Sequence, residues 1–414
     1  MSANNPPCGA SSRFLDAARQ TFRSLRHRNF RLYSVGIMSS LIGSWMQIVV
    51  MGWLAYQLTH SSGTLGLLSF ASLIPTIAFS LPAGWVAGRF DRRKILLVTQ
   101  SLAFCQAITV TALAATGTVQ VWHLVALSSV LGVLVAFELA ARFPLIGELV
   151  EPQEIGNACS LDAFVFYGAR ASGPAIGGLL LSVFSPAICF GINAASYALE
   201  LTTLLLIRKK PSETRTTGGA VSAGLRFLLR ADNRAMFLLM AACSFFCAYL
   251  PLMPAYVSEL VAGGATTLGL LVGASEVGAL LASLWLARKL TGTLGRSVRI
   301  AALGAAVFMV VASFSGSAWC SALLLLPLGF CTTVNLMGVH AVMQERVDND
   351  TRGMMSSMFW MTNLGLQSAG ALCIGFLGEH FGIGSALASA GFACVLCAVV
   401  SLLVSGRDSS MPSK

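Results

Sequence analysis

The chain has 414 residues, of which 56% are hydrophobic and only 11% charged, where soluble domains carry roughly 25% charged residues. With a mean hydropathy of +0.76, this composition excludes a water-soluble fold. The net charge of +10 raises nucleic acid as a partner, but the placement of the basic residues excludes it.

Residues Met1 to Ser12 are polar and expected to be disordered. Arg13 to Phe30 sets Phe14, Leu15, Phe22 and Leu25 between arginines, the composition of an interfacial helix on the inner leaflet. The first apolar run, Leu32 to Leu58, has no small-residue cleavage site and reads as a retained helix, not a signal peptide. Cys8 lacks a preceding apolar stretch, which argues against a lipoprotein anchor. Apolar runs of about 20 residues, the length that spans a bilayer, then recur to Val404, and the count is twelve.

Every second break between runs is basic: Arg89, Arg92, Arg93 and Lys94 after the second, Arg208, Lys209, Lys210 and Arg215 after the sixth, Arg288, Lys289, Arg296 and Arg299 after the eighth, and Arg346 and Arg352 after the tenth. The alternate breaks, around His60, Gly117, Ser185, Gly263, Gly316 and His380, contain no lysine or arginine. By the positive-inside rule both termini are cytoplasmic, in a multi-pass protein of a bacterial inner membrane. The charge orients the chain, and lipid headgroups are its secondary partner.

The longest break follows Ile207. It divides the chain into a cytoplasmic segment (1–31), a six-helix bundle (32–207), a cytoplasmic linker (208–234), a second six-helix bundle (235–405) and a tail (406–414). Within the linker, Ala223 to Arg234 reads as a short amphipathic helix. The bundles are repeats: an ungapped shift of ~197 residues, the size of a six-helix unit, pairs Leu131-Gly132 with Leu328-Gly329, Glu148 with Glu345 and Gly156 with Gly353. The same shift pairs Gly168 with Gly365, Gly173 with Gly370 and Gly178 with Gly375.

Several motifs now carry a resemblance. Gly84-Trp85-Val86-Ala87-Gly88-Arg89-Phe90-Asp91-Arg92-Arg93 lies between the second and third runs, and Gly173-Pro174-Ala175-Ile176-Gly177-Gly178 lies in the fifth. With Arg28-Asn29-Phe30-Arg31-Leu32, Gly43-Ser44-Trp45-Met46-Gln47, Gly52-Trp53-Leu54 and Glu148-Leu149-Val150, the chain resembles the major facilitator superfamily over essentially its whole length. The branch it looks like is that of the transmembrane secretion effectors, which includes siderophore exporters and drug efflux proteins. The resemblance implies an all-α fold of twelve transmembrane helices in two six-helix pseudo-repeats, and gating roles for Gly84, Arg89, Asp91, Arg92, Arg93, Gly173, Pro174, Gly177 and Gly178. Gly88 stands where the family usually has an acidic gate residue, and Asp91 is the nearest substitute. Pro174 also removes a backbone hydrogen bond, and its flanking glycines allow close helix approach, which suits a hinge or a plain packing kink.

Ionisable side chains in hydrocarbon are costly and mark candidate sites. Arg170 in the fifth run is far from any basic loop. It reads either as an anchor for an anionic group of the cargo or as one member of an internal ion pair with Asp162 or Glu138. Asp162, eight residues earlier, with Tyr167 and the neutral groups Gln47, Asn335, Asn363 and Gln367, completes the expected cargo-binding set. Glu276, in the middle of the eighth run, is the expected proton-coupling group, because burial disfavours a charged carboxylate and invites proton exchange. Glu138 with Arg142 at i,i+4, beside Arg89 or Arg92, reads as part of a gate. Cys394 and Cys397 form a CxxC, but within a membrane helix they read as small apolar filler. No metal, cofactor or disulfide is expected, and no nucleophile, base and orienting group stand at a spacing that would make an enzyme.

The reading is a monomeric secondary active exporter of a small molecule, a siderophore or drug-like amphiphile, working by alternating access with proton antiport. A lysophospholipid flippase on the same fold and a non-transporting sensor or scaffold are the alternatives.

Overall fold

The computed structural model describes residues 23–208, 231–288, 294–347 and 349–408. Of the amphipathic segments expected at Arg13 to Phe30 and Ala223 to Arg234 and the tail 406–414, residues 13–22, 223–230 and 409–414 lie outside them, while Arg23–Arg26 forms a 3-10 turn just before the first long helix.

Twelve helices run back and forth: α1 (Arg28–Thr59), α2 (Ser62–Arg89), α3 (Arg92–Ala115), α4 (Val121–Leu149), α5 (Ile155–Val183), α6 (Pro186–Leu206), α7, α8 (Ala265–Leu286), α9 (Leu294–Ala312), α10 (Ala318–Arg346), α11 (Asn349–Phe381) and α12 (Ile383–Asp408). The seventh is broken. It runs as Ala231–Phe246, a 3-10 turn at Leu250–Leu252 and a short helix at Met253–Glu259, where the apolar pattern predicts one continuous span from 235. Pro251 and Pro254 are the reason, since each lacks the N–H that a continuing helix needs. No strand occurs among the described residues.

Ten of these spans are long and apolar enough to cross a bilayer. The two that fall outside that set are α5, which carries Asp162 and Arg170, and α11, which carries Asn363 and Gln367. These two helices occupy equivalent positions in the two halves.

The described helix ends that flank the basic breaks lie at one face of the bundle, where α1 begins, and the other breaks lie at the opposite face. The opposite-face links are short, and His60 (φ 48°), Gly117 (φ 68°) and Gly382 (φ 82°) turn the chain there through the left-handed region.

Packing follows the repeat. In the first half α1 packs on α5 and α6, α2 on α4, and α3 on α4 and α6. In the second, α7 packs on α11 and α12, α8 on α10, and α9 on α10 and α12. Two equivalent seams join the halves, α2 with α11 and α5 with α8.

The apolar core is distributed unevenly between the faces. Near the opposite face one cluster draws on both halves, with Met46, Val50, Leu54, Leu65 and Phe190 packed among Leu252, Met253, Leu271, Leu328 and Ile374. Near the basic face each half has its own cluster: Phe30, Tyr33, Ile95, Leu145 and Leu161 in one, and Phe237, Met240, Val339, Met343 and Phe359 in the other. The halves are fused by shared core at the opposite face and have separate cores at the basic face.

Candidate functional site

At the α5–α8 seam Arg170 Nε donates to Glu276 Oε2 at 2.9 Å. The pair joins the two halves of the molecule midway along both helices. Glu276 keeps only 6% of its side chain exposed, whereas Arg170 keeps 28%, so the guanidinium has room for a second partner. Its Cζ lies 5.3 Å from the Trp45 ring centroid, a cation–π distance, and Trp45 in turn meets Phe166 edge-on. Beside Glu276, Ser275 shares a 2.6 Å hydrogen bond with Tyr249 from α7. A cation with residual freedom, a counter-carboxylate and an aromatic rim therefore converge at the seam. Two residues that the sequence singles out separately, for cargo and for protons, are directly bonded.

The glycines of the fifth helix explain how the seam closes. A Cβ at Gly178 would strike the α8 backbone at Gly269 and, at 2.7 Å, the Ala265 carbonyl. Its repeat-mate Gly375 faces α2 in the same way, against the Ser62 carbonyl and Gly66. Gly173 and Gly177 instead face α1 at Trp45 and Met46, and Pro174 is buried between them.

Arg170 does not pair with Asp162 or Glu138. Asp162 belongs to a separate network inside the first half, accepting from Arg142 Nη2 at 2.9 Å and from the Tyr33 hydroxyl at 3.0 Å. Glu138 lies 3.9 Å from Arg142, with Arg142 only 2% exposed. The loop arginines expected beside Glu138 turn elsewhere. Arg89 stacks over Trp85 at 3.9 Å, and Arg92 pairs with Glu148. Asp91 caps α3 by accepting from the Arg93 backbone N–H at 2.8 Å. The Arg93 side chain donates to the Leu204 and Leu205 carbonyls at the end of α6, at 2.8 and 2.9 Å. The basic loop thus ties α2, α3, α4 and α6 together. Gly84 stands in open space, with nothing within 4 Å of the point where a Cβ would project.

The neutral residues are divided. Gln47 is buried between α3 and α6, donating to Gln106 at 3.3 Å and accepting from Asn193 at 2.7 Å. Asn363 donates to Ser244 at 3.1 Å, and the Tyr167 hydroxyl reaches Met337 Sδ at 3.7 Å. Asn335 is buried with its Nδ2 unpartnered. Gln367 is half-buried on α11.

Two clusters are not foreseen from the sequence. His340, Gln344 and Ser356 form a polar group between α10 and α11, with Gln344 Nε2 2.8 Å from Ser356 Oγ and Phe359 and Trp360 against the imidazole. The i,i+4 spacing of His340 and Gln344 is the signal that could have found it. Cys243, Cys247 and Cys394 bring three buried sulfurs within 4.8 Å of one another. Cys394 thus meets two cysteines of α7, an arrangement that depends on α7–α12 packing, which no spacing reveals.

Comparison with known proteins places this geometry. The staphyloferrin A transporter of Staphylococcus aureus is 24% identical over 257 residues, covering 60% of this chain and 64% of that protein, so the chain matches just under two thirds of that relative's length. The enterobactin exporter EntS of Shigella flexneri is 24% identical over 362 residues, 84% of each chain. Among solved structures, a bacterial homologue of the human lysosomal transporter Spinster, in an inward-facing and occupied conformation, superposes with a TM-score of 0.74 at 12% identity, covering 92% of this chain and 97% of that one. That likeness shows the fold. The model of the transmembrane secretion effector family matches residues 19–411, nearly the whole length, and the chain belongs to that family: it is a multi-pass membrane transporter of the major facilitator type and not an enzyme.

Proposed function

We propose that the protein is a secondary active exporter that moves a small amphiphile by alternating access, with Arg170 and Glu276 as the shared site of cargo and proton. The single observation that carries this reading is the 2.9 Å ion pair across the α5–α8 seam, with one member still partly exposed. The positive-inside rule assigns the basic face to the cytoplasm. The separate cores at that face and the shared core opposite then correspond to a cavity open inward.

The chemistry of the pair constrains the cargo. A cargo that offered only an anion would take Arg170 and leave Glu276 buried without a counter-charge, and the carboxylate would then bind a proton together with the cargo. That is co-movement, the wrong sign for proton-driven export. A cargo with both an anionic or acceptor group and a hydrogen-bond donor or cation splits the pair, one end on Arg170 and the other on Glu276. A proton arriving at Glu276 then competes with the donor and releases the cargo, which is antiport. Two relatives are named for siderophores, and Trp45 and Phe166 suit an aromatic body carried beside such groups. Within the same account Tyr167, Asn335, Asn363 and Gln367 line or support the cavity. The Arg142–Asp162–Tyr33 group, Glu138, Gln47, and the Gly84, Arg89, Asp91, Arg92 and Arg93 loop hold the first half rigid as it moves. Gly178 forms the surface on which the α5–α8 seam opens and closes, and Gly173, Pro174 and Gly177 seat α5 against α1 as it moves.

The test is uptake of enterobactin or staphyloferrin A into inverted vesicles containing the protein, with and without an uncoupler. Uptake is expected to collapse on uncoupling and in Arg170→Ala, and Glu276→Gln is expected to retain cargo binding with loss of proton dependence. Uptake unchanged by Glu276→Gln and by uncoupler would rule the reading out.

A further inference from the structure

Inside the first half, three carboxyl groups share one arginine. Asp162 on α5 takes Arg142 at 2.9 Å, and Glu138 on α4 lies 3.9 Å from the same side chain. Glu200 on α6 is 1% exposed, and neither of its carboxyl oxygens has a hydrogen-bond partner. The groups that face it are known from every side. From α1 come Tyr33, the backbone at Gly36, and Ser40, and the Ser40 hydroxyl is donated to the Ile37 carbonyl at 3.2 Å. From α4 come Glu138 and Arg142, with Gln100 of α3 and Asp162 of α5 beyond Glu138. On α6 itself stand Tyr197 and Thr203.

Arg142 is the one cation in that set, and it is committed. Its closest contact is Asp162, and the Tyr33 hydroxyl that accepts from its Nε at 3.2 Å donates to the same carboxylate. With all three acids ionised, the pocket would hold two negative charges in excess in hydrocarbon, with two oxygens of Glu200 accepting no hydrogen bond. Buried ions without a partner are what protein interiors avoid, and a carboxylate does so by taking up a proton.

We propose that Glu200 binds a proton and is a second proton site of this transporter, enclosed in the N-terminal half and separate from the α5–α8 seam. Glu138 keeps 19% of its side chain exposed and is the group through which the proton arrives. The step is a proton transfer alone: a hydronium ion gives its proton to the Glu138 carboxylate, which passes it to Glu200, leaving water behind, and the return follows the same route. The site extends the proton coupling proposed for Glu276, but its test uses no cargo and fails independently of that reading.

The experiment is infrared difference spectroscopy of the full chain in phosphatidylethanolamine–phosphatidylglycerol vesicles, titrated upward from neutral pH in H2O and D2O. A protonated-carboxyl C=O band is expected at neutral pH. It should shift in D2O, fade as the pH rises, and be absent in Glu200→Gln. In Glu138→Gln, which removes the neighbouring negative charge, the band should fade at a lower pH. A band of undiminished intensity in Glu200→Gln overturns the proposal. So does a Glu200 band that persists without titrating until the protein unfolds, since that marks a fixed structural acid. If Glu200→Gln does not fold, Glu138→Gln decides: a titration identical to that of the parent protein also overturns it.

Discussion

Removing either member of the Arg170–Glu276 pair is expected to shift the balance between conformations, because the bond crosses the seam between the halves. At 2.9 Å and an effective dielectric of about 20, the bare attraction of two unit charges is roughly 6 kcal/mol. Desolvation of Glu276 opposes it, and the partial exposure of Arg170 weakens it further, leaving a net coupling of about 1–3 kcal/mol, in the range measured for directly interacting pairs. Such a coupling corresponds to a shift of about 5- to 150-fold in the equilibrium between closed and open seam. The two single variants are not equivalent. Glu276→Gln leaves a partly exposed guanidinium that water can solvate, whereas Arg170→Ala strands a buried carboxylate and should cost more. The assay is a spin-label distance distribution between exposed positions Val183 on α5 and Thr266 on α8, in a background whose 11 cysteines are replaced. Both variants should broaden and lengthen the distribution, and the double variant should show less than the sum of the two effects. Unchanged distances, or strictly additive effects, would refute the idea that this bond holds the seam.

Three further outcomes follow from the packing. Gly178→Val places a side chain against α8 backbone that has no flexible end to move away; the same label pair should report α5 and α8 forced apart, with the protein still inserted. Asp162→Asn leaves Arg142, 2% exposed, without its main counter-charge, a loss of about 3–5 kcal/mol, whereas Tyr33→Phe removes the hydroxyl's two hydrogen bonds, to Asp162 and from Arg142, but leaves the ion pair in place, a smaller loss of about 1.5–3 kcal/mol. Thermal unfolding in detergent should rank the two in that order, and the reverse ranking would contradict the network. Tyr56→Phe deletes the 3.0 Å hydrogen bond to Glu259 that crosses between the halves near the opposite face. Accessibility of nearby introduced cysteines to a membrane-impermeant thiol reagent should rise in that variant and stay unchanged in Tyr256→Phe, whose hydroxyl bonds within the second half.

Much of this architecture is legible in the residues. Twelve spans follow from the length of the apolar runs, and the repeat follows from the shift that pairs Gly178 with Gly375, two glycines that do equivalent work at the two seams. Mid-membrane charges are also conspicuous, because hydrocarbon admits so few. Their partners are not. Asp162 and Arg170 stand eight residues apart, and at 3.6 residues per turn that leaves them about 80° apart on the helix, enough to send one to Arg142 and the other across the seam to Glu276. Position 276 is 106 residues away, and only the packing of α5 on α8 joins them. The break in α7 had its signal in Pro251 and Pro254. Glu200 is conspicuous as another acid in an apolar run, but its lack of a partner and the meeting of the three sulfurs had no signal, since each depends on which faces of distant helices meet.

The most direct measurement of the central claim is the sign of proton exchange when cargo binds. Purified protein in weakly buffered detergent solution with a pH-reporting dye, first acidified until Glu276 has taken up a proton in place of its bond to Arg170, and then mixed with enterobactin or staphyloferrin A, should release protons, and the release should vanish in Glu276→Gln. Net proton uptake on binding, or a release that survives Glu276→Gln, would contradict competition between cargo and proton at the Arg170–Glu276 pair.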